Sequence, residues 1–268
     1  MSDPFADVDA ASPEMIEIIA AALETRAADP SMQPVLDDYL AALDVPDGAR
    51  IVDIGSGTGG VTRQIAARFP GASVLGLEPS AALTRKAVEL AASLPNLSCV
   101  VGDGAALDLE DGSADIAILH TVLSHVADPK LLLAEASRIL RPDGTLVVCD
   151  ADFSKASMSS VPGDPLGSCA VAFVNGAVTD PWLTGKLRPI VRSAGFGIDR
   201  FTILNRVVTE GMGSLVWVRM SSAGLVAQGV IGQPLADALE AEYVRRADAG
   251  DLYSFLPFAT LIASKSAG

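Results

Sequence analysis

Between Arg50 and Asp150, short apolar runs take turns with amphipathic stretches, the rhythm of strand and helix in succession. The runs at 51–54, 73–77, 97–101, 115–119 and 145–149 are apolar nearly throughout, which predicts strands buried on both faces. Ser80 caps a predicted helix lined by Leu83, Ala87, Leu90 and Ala91 and closed at Pro95. Asp128-Pro129 opens another, lined by Leu132, Leu133, Ala136, Ile139 and Leu140 and stopped at Pro142-Asp143-Gly144. Alternation of this kind with right-handed crossovers predicts a doubly wound α/β fold, a mostly parallel sheet with helices on both faces.

On either side the pattern changes. Ser12-Pro13 starts a helix that places Met15, Ile18, Ile19, Ala22 and Leu23 on one face. A second helix after Pro34 turns Leu36, Tyr39, Leu40 and Leu43 inward, and Pro46-Asp47-Gly48 ends this helical cap. Beyond Asp150, residues 152–182 are rich in Ser, Gly and Pro and predict loop with a short helix. Helix is expected over 182–194, strand over 198–207, helix over 209–249 with a break near Gly232-Gln233-Pro234, and strand over 252–264. No long linker separates these parts. The expectation is one domain over 1–268: a helical lid at 1–47, a core at 48–150, and later elements at 151–268.

Composition narrows the partners. Half of the 268 residues are apolar and 19% are charged, which excludes a disordered chain. A net charge of −14 repels phosphate backbones and anionic headgroups, so neither nucleic acid nor membrane is an expected partner. The opening residues 1–13 carry acids and no Lys or Arg, unlike a signal peptide. Arg63, Asp115 and Arg219 interrupt the longest apolar stretches. Cys99, Cys149 and Cys169 are far apart with no C-x-x-C pair, which reads as buried free thiols in a reducing cytoplasm. With only His120 and His125 to add, no metal cluster is expected. A homodimer is compatible with all of this.

The chemistry concentrates at Val-Asp-Ile-Gly-Ser-Gly-Thr-Gly-Gly, residues 52–60, running from the first strand into a helix. Gly55, Gly57 and Gly60 satisfy G-x-G-x-x-G, so an NAD-dependent oxidoreductase is one reading. Two features oppose it. Asp53, two residues before the first glycine, suits the cationic amino acid portion of S-adenosylmethionine and is a poor neighbour for a pyrophosphate. Acids also recur at successive strand ends, 25 residues apart each time. Glu78, followed by Pro79, is placed to accept ribose hydroxyls, and Asp103, followed by Gly104 and Ala105, to accept from an adenine amino group. All three project at the carboxyl edge of the sheet, where open α/β sheets bind ligands. No Tyr-x-x-x-Lys pair is present to serve a nicotinamide.

Residues 50–150 resemble the class I S-adenosylmethionine-dependent methyltransferases, in particular the small-molecule branch similar to ubiquinone and menaquinone biosynthesis methyltransferases. The resemblance rests on the loop at 52–59, on Glu78, on Asp103 and on Leu-Arg-Pro-Asp-Gly-Thr-Leu at 140–146. It implies a seven-stranded sheet whose last strand, here 252–264, is antiparallel. It implies S-adenosyl-L-methionine as cofactor, S-adenosyl-L-homocysteine as product, and a small-molecule acceptor methylated on O, N or C. The cofactor residues it implies are Asp53, Gly55, Ser56, Gly57, Thr58, Gly59, Glu78, Pro79, Asp103, Gly104 and Ala105, with His120 on the methionine side. His125 lies near the expected acceptor entrance, either as a general base or as a support for the loop before Asp128-Pro129. Asp150 and Asp152 either meet the acceptor or hold the loop above the site. Trp182, Trp217, Met212, Met220, Tyr39 and Tyr253 are candidate pocket walls. A protein that binds the cofactor without methylating, cyclase-like or a pseudo-enzyme, would show the same loop and acids.

Overall fold

The computed structural model describes residues 3–265; the outermost residues of the expected lid and C-terminal part, 1–2 and 266–268, lie outside the described residues. Two helices come first, α1 (Pro13–Ala28) and α2 (Gln33–Leu40). The alternating stretch gives β1 (Arg50–Ile54), α3 (Gly60–Arg68), β2 (Ser73–Glu78), α4 (Ala81–Ala91), β3 (Leu97–Val101), β4 (Ala114–His120), α5 (Pro129–Ile139) and β5 (Leu140–Ala151). Then follow α6 (Pro165–Ala177), α7 (Leu183–Ser193), β6 (Phe196–Val208), α8 (Leu215–Ala227), α9 (Gln233–Ala249) and β7 (Ser254–Lys265).

The strands form one seven-stranded sheet in the order β3-β2-β1-β4-β5-β7-β6. β1 to β5 run parallel, and β7 is antiparallel to both β5 and β6. The inner parallel strands send alternate side chains to opposite faces, and both of those faces are covered. Ile51, Ile118, Val147 and Cys149 share one core with α2, α3, α6, α8 and α9, while Val52, Ala117, Leu119 and Val148 share another with α5 and α7. This two-sided burial explains why the runs lack polar alternation. The chain reverses its direction across the sheet between β1 and β4, which opens a crevice beyond their carboxyl ends.

Several expectations are corrected. Leu140 does not belong to a helix: α5 ends at Ile139, and Leu140 begins β5, paired with Ala114. Pro142-Asp143-Gly144 therefore sits inside the strand as an irregularity, with Asp143 at φ 62°. The 97–101 run is an edge strand, so Val100 and Val101 are exposed rather than buried on both faces. In α1 the inner face rotates toward Ile19 and Ala20, leaving Ile18 exposed. The second helix stops at Leu40, short of Leu43. The expected short helix within 152–182 is the 13-residue α6, started by the Asp164 side chain accepting from the Leu166 amide. The helix expected from 209 begins only at Leu215, with the break before α9 where Gly232 caps it.

Candidate active site

One cavity of about 450 Å³ opens at the crevice between β1 and β4, within the range of roughly 300–1,000 Å³ usual for ligand clefts. The glycine loop forms its floor. Gly55 and Gly57 take φ of 79° and 57°, left-handed conformations that cost other residues energy. A Cβ on Gly55 would lie 2.6 Å from Val122 Cγ2, so the loop needs glycine there on two grounds.

Asp53, Glu78 and Asp103 line one side of the cavity, from β1, β2 and the turn after β3. Asp53 is buried and accepts from the Thr62 hydroxyl at 2.6 Å. Burial raises its carboxyl to about 6; the Thr62 bond opposes this and neighbouring Glu78 adds to it. Glu78 braces the loop: its Oε2 accepts from the Gly57 amide at 2.9 Å and its Oε1 from the Ser80 amide at 3.0 Å. Burial raises Glu78 too, partly offset by those two amides. Each of its oxygens keeps a lone pair for a ligand. Asp103 caps its own turn, accepting from the Ala105 amide at 2.9 Å.

Gly55, Ser56, Gly57, Thr58, Pro79, Gly104, His120 and His125 also line the cavity. Gly59 and Ala105 do not; Gly59 is the left-handed cap of α3, and Ala105 contributes its amide to Asp103. Ser56 Oγ and His120 Nε2 are buried with no hydrogen-bond partner among the described residues. Buried polar atoms are rarely left so, and these mark places for a polar ligand. His120 Nδ1 meets the Tyr39 hydroxyl at 3.1 Å. Burial, helped by Arg26, lowers His120 to about 3, so its imidazole is neutral.

His125 lies against Phe5 and Phe153, and its Nδ1 is 2.8 Å from Asp3 Oδ2. That oxygen also accepts from the Thr179 amide and hydroxyl, which fixes the carboxylate in place. Asp150 holds the loop: it accepts from the Ser124 amide and hydroxyl and from the Ala151 amide, and it does not line the cavity. Asp152 likewise bonds Ser154 in its own turn. Of the expected walls, Trp217 lines the cavity and stacks on Phe173. Trp182, Met212 and Tyr253 are exposed, Met220 packs against the core, and Tyr39 stands behind His120.

Sequence reasoning missed Asp3, Phe5, Arg26 and Arg206. Arg26 had a signal, because it follows Ile19 and Leu23 at helical spacing and so interrupts the inner face of α1. Its Nη2 donates to Thr121 Oγ1 at 2.8 Å. Thr121 has φ 56°, an outlier for a β-branched residue, right at the end of β4.

A doubly wound sheet with a glycine turn, three acids and a cavity at its switch point defines a nucleoside-cofactor protein. Residues 52–148 match the methyltransferase domain family, and the chain carries a class I S-adenosylmethionine-dependent methyltransferase domain with S-adenosylmethionine as its cofactor. That sets the NAD reading aside. The chain is similar to a trans-aconitate 2-methyltransferase of Deinococcus radiodurans, 45% identical over 37% of this chain and 37% of that protein. Over the first curated relatives it matches, the chain spans 35% and 37% of their length. Its fold is similar to that of a [4+2]-cyclase, SpnF (TM-score 0.61, 22% identity, 100% and 99% of the two chains). It is also similar to Haemonchus contortus phosphoethanolamine N-methyltransferase 2, solved with phosphomonomethylethanolamine and S-adenosylhomocysteine (TM-score 0.63, 18% identity, 98% and 60%).

Proposed function

We propose that the whole chain works as one enzyme that transfers a methyl group from S-adenosylmethionine to an O, N or C atom of a small-molecule acceptor. The observation that carries this reading is the cavity itself. Its acids face a site for a cationic nucleoside, and it continues under α1 and α6 to an apolar region at Phe173, Trp217, Leu256 and Phe258. When bound, S-adenosylmethionine supplies an electrophilic methyl on a sulfonium with a neutral leaving group. Asp53 would face the amino acid part, Glu78 the ribose and Asp103 the adenine, while His120 Nε2 and Ser56 Oγ supply further polar contacts. The chain's main task is orientation and exclusion of water, worth about 7–11 kcal/mol in favourable intramolecular cases.

His125 is the proton acceptor in this reading. With Asp3 Oδ2 as the acceptor in that bond, Nδ1 carries the proton and Nε2 is left free to take one from the methyl acceptor. The free buried thiols and the acidic surface fit a cytoplasmic enzyme that binds neither nucleic acid nor membrane; no helix among the described residues is long and apolar enough to cross a membrane. A dimer is compatible with this reading. The fold shared with a [4+2]-cyclase over the full chain keeps one other reading, a bound cofactor that is not consumed. Mass spectrometry of a metabolite panel incubated with protein and S-adenosylmethionine separates the two. A product heavier by one methyl-for-hydrogen exchange, with stoichiometric S-adenosylhomocysteine, is the expected result; an isomerised product with no S-adenosylhomocysteine would overturn methylation.

A further inference from the structure

Charge is segregated along the cavity. In sheet order, Asp103 follows β3, Glu78 ends β2 and Asp53 lies on β1, so the acids occupy one half. Past the switch point, beside His120, Thr121 and His125, stand two cations: Arg206 on β6, and Arg26, which α1 carries over the glycine loop to Thr121 after β4. Arg206 pairs with Leu256 of β7, and Phe258 pairs with Ala151 at the end of β5, so these residues share the edge that bears the acids.

The two guanidinium groups are not equivalent. Arg206 is neutralised, donating to Asp29 Oδ2 at 2.5 Å and to Ser31 Oγ at 2.8 Å. Arg26 makes one hydrogen bond, to the neutral Thr121 hydroxyl, and has no carboxylate within ion-pair distance among the described residues. Asp150, the acid with which it interacts at longer range, spends its oxygens on Ser124 and Ala151. Burial and the neighbouring Arg206 lower Arg26 to about 10, still protonated at neutral pH. Arg26 is half-buried in the cavity wall without a counterion, and its planar fork of donors matches a carboxylate.

Taking the proposed methyl transfer as given, we propose that the acceptor carries a carboxylate, and that Arg26 docks it against the apolar wall of Phe173, Trp217, Leu256 and Phe258. The acceptor is then an organic acid with an apolar body. Its charge is repelled by the acids of the cofactor side and attracted by Arg26.

The test uses full-length protein saturated with S-adenosylhomocysteine, so that the cofactor's own carboxylate is already seated. Calorimetric titration with phenylacetate and with phenylacetamide compares a charged and a neutral probe of equal shape. Phenylacetate should bind about ten- to a hundredfold more tightly, the effect of a hydrogen-bonded charge. Arg26→Gln, which keeps a polar side chain without the charge, should abolish that preference, and Arg26→Lys should restore part of it. Equal binding of the two probes, or no binding of either, would overturn the proposal. So would an Arg26→Gln variant that loses affinity for S-adenosylhomocysteine while keeping it for 5′-methylthioadenosine, which lacks the amino acid part: the guanidinium would then serve the cofactor's carboxylate. Failure of the wild type to bind S-adenosylhomocysteine at all would sink the methyltransferase reading first, and this one with it.

Discussion

Asp53→Asn should make the protein more stable at neutral pH while weakening its hold on the cofactor. Asp53 is buried at the end of β1, and its carboxyl is raised by that burial from the ordinary 3.8 to about 6. The sign follows from linkage: the folded state holds this proton more tightly than the unfolded state does. The penalty is absent below about pH 4, grows as pH rises toward 6 and is complete above it. The interval between the two values corresponds to about 3 kcal/mol at most. Asparagine removes the charge, and its Oδ1 still accepts from the Thr62 hydroxyl. Denaturant melts of wild type and variant should therefore coincide near pH 4 and separate by up to about 3 kcal/mol at pH 7.5 in the variant's favour. For a chain of this size that is on the order of 5–10 °C in Tm. Comparing the two proteins at each pH isolates Asp53 from Glu78 and Asp150, which burial also raises. Calorimetry with S-adenosylhomocysteine, whose ammonium favours the ionised carboxylate, should show wild-type affinity rising through about pH 6 and the variant flat and weaker. A variant less stable at both pH values, or one with unchanged affinity and pH profile, would refute the reasoning.

Gly55→Ala should cost a few kcal/mol, combining a φ of 79° with a 2.6 Å approach to Val122, and should abolish cofactor binding; denaturant melts and calorimetry measure both. His125→Ala should lower turnover roughly a hundredfold while leaving cofactor affinity intact, with partial recovery at high pH where the acceptor ionises unaided. Asp3→Asn should move the pH–rate profile, because it weakens the bond that fixes the imidazole tautomer; a stable His125→Ala variant with normal turnover refutes the base role. Hydrogen exchange should slow in residues 3–10, α1 and residues 152–182 when S-adenosylhomocysteine binds, since Phe5, Leu23, Arg26, Phe153 and Phe173 line the cavity, whereas α2 packs in the core. Unchanged exchange in these segments would argue against a lid.

The acid-lined half of the site was legible because each of its residues is local to a strand end. Asp53, Glu78 and Asp103 follow apolar runs, and the positive φ of the loop forces glycine into the sequence. The other half is built from long-range meetings that no periodicity carries. Asp3 reaches His125 across 122 positions, and Arg206 reaches Asp29 across 177. The strand run at 97–101 gave no hint of being an edge, since Val100 and Val101 read as core until the sheet order exposes them. Leu140 fits the apolar face of α5 equally well; pairing with Ala114 decides for the strand. Composition hid α6, where Ser and Gly accompany Leu166, Cys169, Ala170 and Phe173, although Asp164-Pro165 repeats the start signal of Asp128-Pro129. Trp182, a candidate pocket wall by sequence, lies on the surface under Lys155.

Methyl transfer by this chain requires the acid-lined cavity to be a site for S-adenosylmethionine. Calorimetric titration of the purified protein with S-adenosylhomocysteine and with NADH, in wild type and in Glu78→Ala, tests that most directly. The wild type should bind S-adenosylhomocysteine and ignore NADH, and loss of the Glu78 carboxylate should weaken binding by about 1.5–3 kcal/mol, the scale of hydrogen bonds to a charged acceptor. Binding of NADH with S-adenosylhomocysteine ignored, or a Glu78→Ala variant that binds S-adenosylhomocysteine as tightly as the wild type, would contradict it.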